Sequence, residues 1–228
     1  MIYFIITTSL IKHNFESRKQ EYMVGITNFI SLVKNIPNSS TIIVENNGNS
    51  ETFLDSFNDN NVKIHYTNNN LLPTRNKGIK ELKDVLDVIQ SFDIQDYDFV
   101  VKMTGRYILQ DDSSFLQLIQ NYNENIHCII KYGPYFKPVN YKMKDCITGL
   151  IGMLVFYIKQ INMNAKGRTS PSLSLQNRPL VGSWNDENPI EHEWANVSLL
   201  IPDKNVCLIR DKMGLNLKTV DDEIFTLI

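Results

Sequence analysis

The sequence predicts an α/β fold: a mostly parallel central sheet with helices on both faces. Three observations carry this. Short apolar runs rich in β-branched residues alternate with amphipathic helical stretches from the first residue to about Tyr107. Runs such as Phe99-Val100-Val101 are apolar without alternation, as strands covered on both faces are. Each run breaks at its carboxyl end on polar, turn-forming residues.

The elements follow in order. Tyr3 to Thr7 reads as the first strand. Ser17 to Lys34 reads as a helix, with Phe15, Tyr22, Ile26, Phe29, Ile30 and Val33 at roughly helical spacing and Pro37 beyond its end. Thr41 to Val44 is a second strand, followed by the turn from Glu45 to Ser50 and a short helix from Glu51 to Phe57. Val62 to Tyr66 is a third strand, ended by Asn68-Asn69-Asn70. Thr74 to Ile89 is a helix with its stripe at Ile79, Leu82, Leu86 and Ile89, and Asp98 to Met103 is the fourth strand.

Beyond Tyr107 the alternation loosens. Ser113 to Tyr122 reads as a helix. Ile126 to Tyr132 and Phe136 to Met143 read as two arms of a hairpin bent at Gly133-Pro134. Asp145 to Gly149 is a loop, Leu150 to Ile161 a helix, Pro189 to Leu199 a helix and Val206 to Ile209 a strand. Ala165 to Trp184, rich in Ser, Asn, Gly and Pro, is the expected mobile segment. No repeat and no linker divides the chain. The expectation is one domain over 1–228, with a nucleotide-binding half (1–107) and an acceptor-binding half (108–228).

Composition narrows the function. A chain of 228 residues can bury a sizeable core. The net charge of −2, with no basic stripe, gives no footprint for nucleic acid. Cys128, Cys146 and Cys207 are far apart and form no CxxC, so they read as free thiols in a reducing compartment. The apolar start breaks at Thr7-Thr8-Ser9 and no run reaches membrane-spanning length, so a soluble, cytoplasmic protein is expected. No GxGxxG follows the first strand and no GxxxxGK[ST] occurs, which excludes the dinucleotide-binding and P-loop members of the class.

The sharpest chemical signal is the end of the fourth strand. Lys102, Thr104, Gly105 and Arg106 follow a buried run, at the place where α/β sheets gather their ligands. A guanidinium there offers a planar fork of donors suited to phosphate oxygens. The competing reading is an ordinary polar turn with Arg106 solvated.

Three further stretches bear on this one. The second strand runs into Val44-Glu45-Asn46-Asn47-Gly48-Asn49-Ser50-Glu51. The helix before the fourth strand opens Thr74-Arg75-Asn76-Lys77-Gly78-Ile79. The second half carries Glu191-His192-Glu193 near a helix start. In this order, the stretches resemble the family 2 glycosyltransferases of the GT-A fold. These carry an acidic VDDGSTD turn, an ARNxGI element, a strand ending in DxD, and an acidic pair before a helix. Thr104-Gly105-Arg106 stands where that family has the metal-holding DxD.

The resemblance implies a GT-A (Rossmann-like) glycosyltransferase. It would move a sugar from a nucleotide-diphosphate donor to a hydroxyl of a glycan or glycoconjugate acceptor, with inversion. Thr7, Thr8, Glu45 and Asn46 would line the nucleotide, although Glu45 reads equally as a turn acid binding nearby N–H groups. Arg18 would reach the diphosphate or stay solvated in a first helical turn. Arg75 and Asn76 would present a helix start to phosphate or sugar hydroxyls. Arg106, with Lys102 as partner or substitute and Thr104 and Gly105 beside it, would supply the positive charge that a metal supplies in the family.

No cofactor is expected, except a divalent Mn or Mg ion should Asp111 or Asp112 face the site; a helix cap is the stronger reading of that pair. Glu191 is the family-matched general base, with Glu193 second. Asn188-Pro189-Ile190-Glu191 also reads as a capping box. His192 reads as a surface or supporting residue. Asp145, Thr148, Gly149 and Trp184 would line the acceptor side, with core packing the ordinary role for Trp184 and Trp194. A catalytically silent sugar-nucleotide or glycan-binding module and a sugar nucleotidyltransferase are the alternatives. The second should need a glycine-rich loop after the first strand.

Overall fold

The computed structural model describes residues 1–10, 15–48, 51–74, 76–133, 146–165, 190–218 and 224–227. Four parallel strands form the heart of the larger sheet: β1 (Ile2–Thr8), β2 (Ser39–Glu45), β3 (Val62–Tyr66) and β4 (Phe99–Thr104). The sheet has seven strands in the order β3-β2-β1-β4-β7-β6-β8, completed by β6 (Cys128–Ile130), β7 (Leu150–Leu154) and β8 (Val206–Leu208). β7 is antiparallel to both neighbours, β4 and β6. This is the expected α/β architecture.

Two cores flank the sheet because alternate residues of each strand face opposite ways. On one face Phe4, Ile6, Val101 and Met103 pack beneath α1 (Phe15–Val33) and α3 (Ser114–Gln120). On the other Ile5, Val44, Val100 and Ile151 pack beneath α2 (Lys77–Ser91), α4 (Val155–Ala165) and α5 (Ile190–Ser198). The stripe of α1 (Tyr22, Ile26, Phe29, Val33) and that of α2 (Ile79, Leu82, Val85, Ile89) are the faces that sink inward.

One expectation about elements needs correction. Leu150 to Ile161 is not one helix but strand β7 followed directly by α4. A wholly apolar run has no periodicity to separate the two states. β7 lies between β4 and β6, where Gly152 gives the Phe99 ring its space: a Cβ there would lie 2.7 Å from that ring. The expected second hairpin arm, Phe136 to Met143, lies outside the described residues; Cys128–Ile130 pairs with β7 and β8. A second sheet, unforeseen, joins β5 (Tyr107–Leu109), β9 (Leu215–Lys218) and β10 (Ile224–Leu227) in the order β10-β9-β5. Past Ala165, the expected mobile stretch to Trp184 lies outside the described residues.

Because β1 to β4 run parallel, Thr8, Glu45, Tyr66 and Thr104 come out on one edge. Leu150 pairs with Met103, so the turn before β7, Thr148-Gly149, reaches the same edge. From there β5 runs down α1, away from the edge: Gly105 and Tyr107 lie at Gly25, and the Leu109 amide donates to Asn28 Oδ1 at 2.9 Å.

Gly25 permits this seating. A Cβ at Gly25 would lie 2.3 Å from the Gly105 carbonyl oxygen and 2.8 Å from that of Tyr107. Helix propensity alone makes Gly25→Ala stabilising by about 1 kcal/mol. The close backbone predicts the opposite sign, a loss of about 2 kcal/mol or more in urea unfolding.

Candidate functional site at the carboxyl edge

The edge is built first around Glu45. It is fully buried, and its carboxylate accepts from the Leu10 amide (3.1 and 3.2 Å), the Asn47 amide (3.1 Å), Asn47 Nδ2 (2.6 Å) and the Thr8 hydroxyl (2.7 Å). These bonds tie the end of β1 to the turn after β2. They are the bonds of an acid that binds turn N–H groups. Thr7 is buried too, its hydroxyl 3.3 Å from the Met103 carbonyl.

Behind Glu45 a second acid holds the next two corners. Asp84 of α2 has no exposed surface. It accepts from Asn46 Nδ2, the Thr67 hydroxyl and Asn69 Nδ2, each at 2.8 Å. All three donors are neutral, so burial dominates and pushes the Asp84 carboxyl up to about 7, against these bonds. Asn46 Oδ1 is buried without a partner among the described residues. Above this layer a polar row crosses the edge: Asn47 Nδ2 donates to Ser9 Oγ (3.3 Å), Asn70 Nδ2 to Asn47 Oδ1 (2.6 Å), and Lys80 Nζ to the Asn70 carbonyl (2.5 Å).

Asn76 is the N-cap of α2, its Oδ1 accepting from the Gly78 and Ile79 amides at 3.0 and 3.3 Å. The helix therefore begins at Lys77 and not at Thr74. Arg75 lies outside the described residues.

The end of β4 carries the densest chemistry. Lys102 is buried on the α2 and α5 side, and its ammonium donates to Glu81 Oε2, to the Thr104 hydroxyl (2.9 Å) and to the Thr148 carbonyl (2.7 Å). The Thr104 hydroxyl in turn lies 3.3 Å from Glu81 Oε2. The Thr148 hydroxyl donates to Glu191 Oε1 at 3.4 Å, and Cys146 Sγ donates to the Glu191 carbonyl at 3.1 Å. A chain of contacts thus runs Glu81–Lys102–Thr148–Glu191, from α2 across the sheet to the first turn of α5. The two helices are set close: a Cβ at Gly78 would lie 2.0 Å from Ile190 Cγ2.

Arg106 leaves the same strand end in the other direction. The Gly105 amide donates to the Thr7 carbonyl at 2.9 Å, and the corner turns towards α1. There Arg106 Nη1 lies 3.2 Å from Glu21 Oε2, and Arg18 Nη1 lies 3.6 Å from the same oxygen. The structure gathers Arg18 and Arg106 on the α1 side, and Lys102, Thr104, Thr148 and Glu191 on the α2–α5 side. Tyr22, beside this corner, accepts from the Ser9 amide at 2.9 Å. Burial first, and then Glu45 and Glu81, push its hydroxyl up to about 12, against the Ser9 bond and Arg106.

The remaining candidates separate. Glu193 is half-buried, and burial raises its carboxyl pKa, with His192 opposing. Gly149 is covered by Tyr107, whose ring a Cβ would approach to 2.3 Å. Trp194 is part of the core. Asp111 and Asp112 are exposed beyond Leu109, down α1 from the edge. Ser113, not either acid, caps α3 by accepting from the Leu116 amide. Asp145 and Trp184 lie outside the described residues. Among the described residues no group of three or more His, Cys, Asp or Glu side chains is placed to hold a metal ion. The oxygens of Glu45 and Asp84 are committed to the protein's own donors, so these residues do not fit a metal.

Sequence reasoning missed Glu21, Glu81 and Asp84. A signal existed for two of them. Arg18 and Glu21 have the i, i+3 spacing of a helix pair, and Asp84 shares a helix face with Val88. Nothing in the sequence distinguishes Glu81 from a solvated helix acid.

The raised Asp84 pKa fixes a sign. Its folded value, about 7, lies above the 3.8 of a free Asp carboxyl, so the native state holds the proton over that interval. Stability therefore falls as pH rises towards neutrality. In urea unfolding the wild type should lose about 2–3 kcal/mol relative to Asp84→Asn between pH 5 and pH 8. A constant gap would mean that Asp84 is ionised throughout.

No protein-family model and no curated protein sequence matches the chain. Solved structures do match its fold. The 4-diphosphocytidyl-2C-methyl-D-erythritol synthase from Anaerococcus prevotii DSM 20548 superposes with a TM-score of 0.55 at 13% identity, over 97% of this chain and 92% of that one. The galactosyltransferase LgtC, in complex with donor and acceptor sugar analogs, gives 0.52 at 9% identity, over 91% and 73%. A further 4-diphosphocytidyl-2C-methyl-D-erythritol synthase structure gives 0.52 at 12%, over 97% and 94%. At these identities the likeness is one of fold: the mostly parallel α/β sheet matches the GT-A-like, Rossmann-like sheets of these structures.

Proposed function

We propose that the protein is a glycosyltransferase that moves a sugar from a nucleotide-diphosphate donor to a hydroxyl of a glycan or glycoconjugate, with inversion. The observation that carries the reading is the convergence of Glu191, Thr148, Lys102 and Glu81 at the carboxyl end of β4. That is where α/β folds of this kind bind ligands. The likeness of fold to LgtC supports it.

The chemistry asks three things of such a site. Glu191 takes the proton of the acceptor hydroxyl as that oxygen bonds to the anomeric carbon. The bond from that carbon to the diphosphate oxygen breaks, and its electron pair leaves with the diphosphate. Arg106, with Arg18, faces the negative charge that develops there, in the role filled by metal-bound DxD in the family 2 enzymes. Thr148 orients the base, and Lys102 holds Thr148. The Ser9–Asn47–Asn70–Lys80 row is the nucleoside side of the edge.

The likeness of fold to the 4-diphosphocytidyl-2C-methyl-D-erythritol synthases favours a second reading, a sugar nucleotidyltransferase. Against it, the first glycine of the chain is Gly25, so no glycine-rich loop follows β1.

Turnover and calorimetry with UDP, GDP, CDP and dTDP sugars, with and without Mn²⁺, decide among these readings. The wild type should turn over one of them. Glu191→Gln should keep donor affinity within about threefold while kcat falls by about 10²–10⁴. Arg106→Ala should weaken donor binding about tenfold or more. Donor binding without turnover by the wild type would identify a binding module. Pyrophosphate release from a nucleoside triphosphate and a sugar phosphate would identify a nucleotidyltransferase. Tight donor binding only with Mn²⁺ would defeat the role given to Arg106.

A further inference from the structure

Glu21 binds two guanidinium groups with one carboxylate oxygen. Arg106 Nη1 is 3.2 Å from Glu21 Oε2 and Arg18 Nη1 is 3.6 Å from it. The three side chains are only partly exposed, at 24% for Arg106, 26% for Arg18 and 11% for Glu21. Two positive charges therefore share one negative charge in a half-buried place, where salt screens less than on open surface. The other acids near this corner are occupied elsewhere: Glu45 by turn N–H groups, Glu81 by Lys102.

The arrangement is rigid at its base. The backbone from Gly105 to Tyr107 is pressed on Gly25, and the Gly105 amide is bonded to Thr7. Arg106 thus starts one turn of α1 below Glu21, and Arg18 starts one turn above it. Along one face of α1 the order is Arg18, Glu21, Gly25, Asn28, each set against the β4–β5 corner, against β5 or against one another. The two guanidinium groups are held close enough for neighbouring phosphoryl groups to bond to both.

We infer that Arg18 and Arg106 form a clamp for the two phosphoryl groups of a diphosphate, and that Glu21 competes with the diphosphate for them. The inference rests on the sugar-nucleotide reading for the identity of the diphosphate. Beyond that reading it adds that Glu21 sets the affinity by giving up its ion pairs to both guanidinium groups when a phosphate takes them. Glu21 is a positioning residue that orients both forks and a brake on anion binding.

Calorimetry with inorganic pyrophosphate, and separately with inorganic phosphate, tests this without sugar, acceptor or turnover. Glu21→Gln should bind pyrophosphate about fivefold or more tightly than the wild type, because a competing charge is gone. The gain should shrink at high salt. Arg18→Ala and Arg106→Ala should each weaken binding about tenfold or more. Pyrophosphate should bind well ahead of phosphate.

Unchanged or weaker pyrophosphate binding by a Glu21→Gln protein of unaltered Tm overturns the inference. Unchanged affinity in Arg18→Ala, a substitution in a partly exposed first turn, overturns it even if the Glu21 variant does not fold. Equal affinity for phosphate and pyrophosphate removes the diphosphate assignment. The two readings fail separately. Sugar transfer with pyrophosphate affinity indifferent to residue 21 keeps the function and loses the clamp. The predicted affinities without transfer of any sugar keep the clamp and lose the function.

Discussion

Lys102 puts a full charge into the middle of the sheet, between β1 and β7, on a strand whose other residues are all buried. A lone ammonium there would be intolerable, and removing one partner of a buried pair typically costs about 3–5 kcal/mol. The protein meets the demand with three acceptors drawn from three places: Glu81 of α2, Thr104 of the same strand and the Thr148 carbonyl before β7. Each acceptor must come to the ammonium, so the ammonium fixes where α2 and the turn before β7 sit on the edge. Thr148 then passes the constraint to Glu191. One buried cation sets the register between the first half of the chain and the second.

The acids of the edge are held by a different logic. Glu45 and Asp84 are both fully buried, and the bonds that they accept come from amides and hydroxyls, with no cation among the donors. Backbone N–H groups serve Glu45, while only neutral side chains serve Asp84, the weaker compensation for a buried charge. At Asp84 burial outweighs these bonds and pushes the carboxyl up to about 7. The two acids also divide the work. Glu45 joins β1 to β2 at the front of the edge, and Asp84 joins β2 and the turn after β3 to α2 behind it.

The parallel core was legible because its signals are local and consistent. Val62–Tyr66 has the expected bounds, and β1, β2 and β4 differ from expectation by a residue or two. β7 was not legible, since an unbroken apolar run fits a buried strand and a buried helix alike. The second sheet was hidden because its strands are short and β5 joins it over a distance that no local pattern encodes: Tyr107–Leu109 meets Leu215–Leu217. At the site, Lys102, Thr104, Thr148 and Glu191 were identifiable from their positions beside turns and helix starts, and the fold gathers them. Glu81 was not identifiable, because only the tertiary fold brings its helix face to Lys102. Asn76 reads from the sequence both as a ligand residue and as helix-start polarity; its side-chain oxygen accepts from the amides of its own helix.

The two cations at the end of β4 diverge for a backbone reason. Lys102 points to the α2–α5 side by strand alternation. Arg106 stands beyond a glycine corner that bends the chain onto α1, and its guanidinium follows α1 to Glu21. The edge is therefore electrically asymmetric. On the α5 side the cation is neutralised by Glu81 and hydrogen-bonded on every N–H, and the carboxylate of Glu191 stands beyond it on Thr148. On the α1 side two guanidinium groups face one carboxylate, which leaves positive charge to offer. Under the sugar-transfer proposal these are the two halves of one displacement, a proton acceptor for the incoming hydroxyl and a cation for the departing diphosphate. Between them stand Thr8, Thr104 and the Gly105 corner, the short side chains at the ends of β1 and β4.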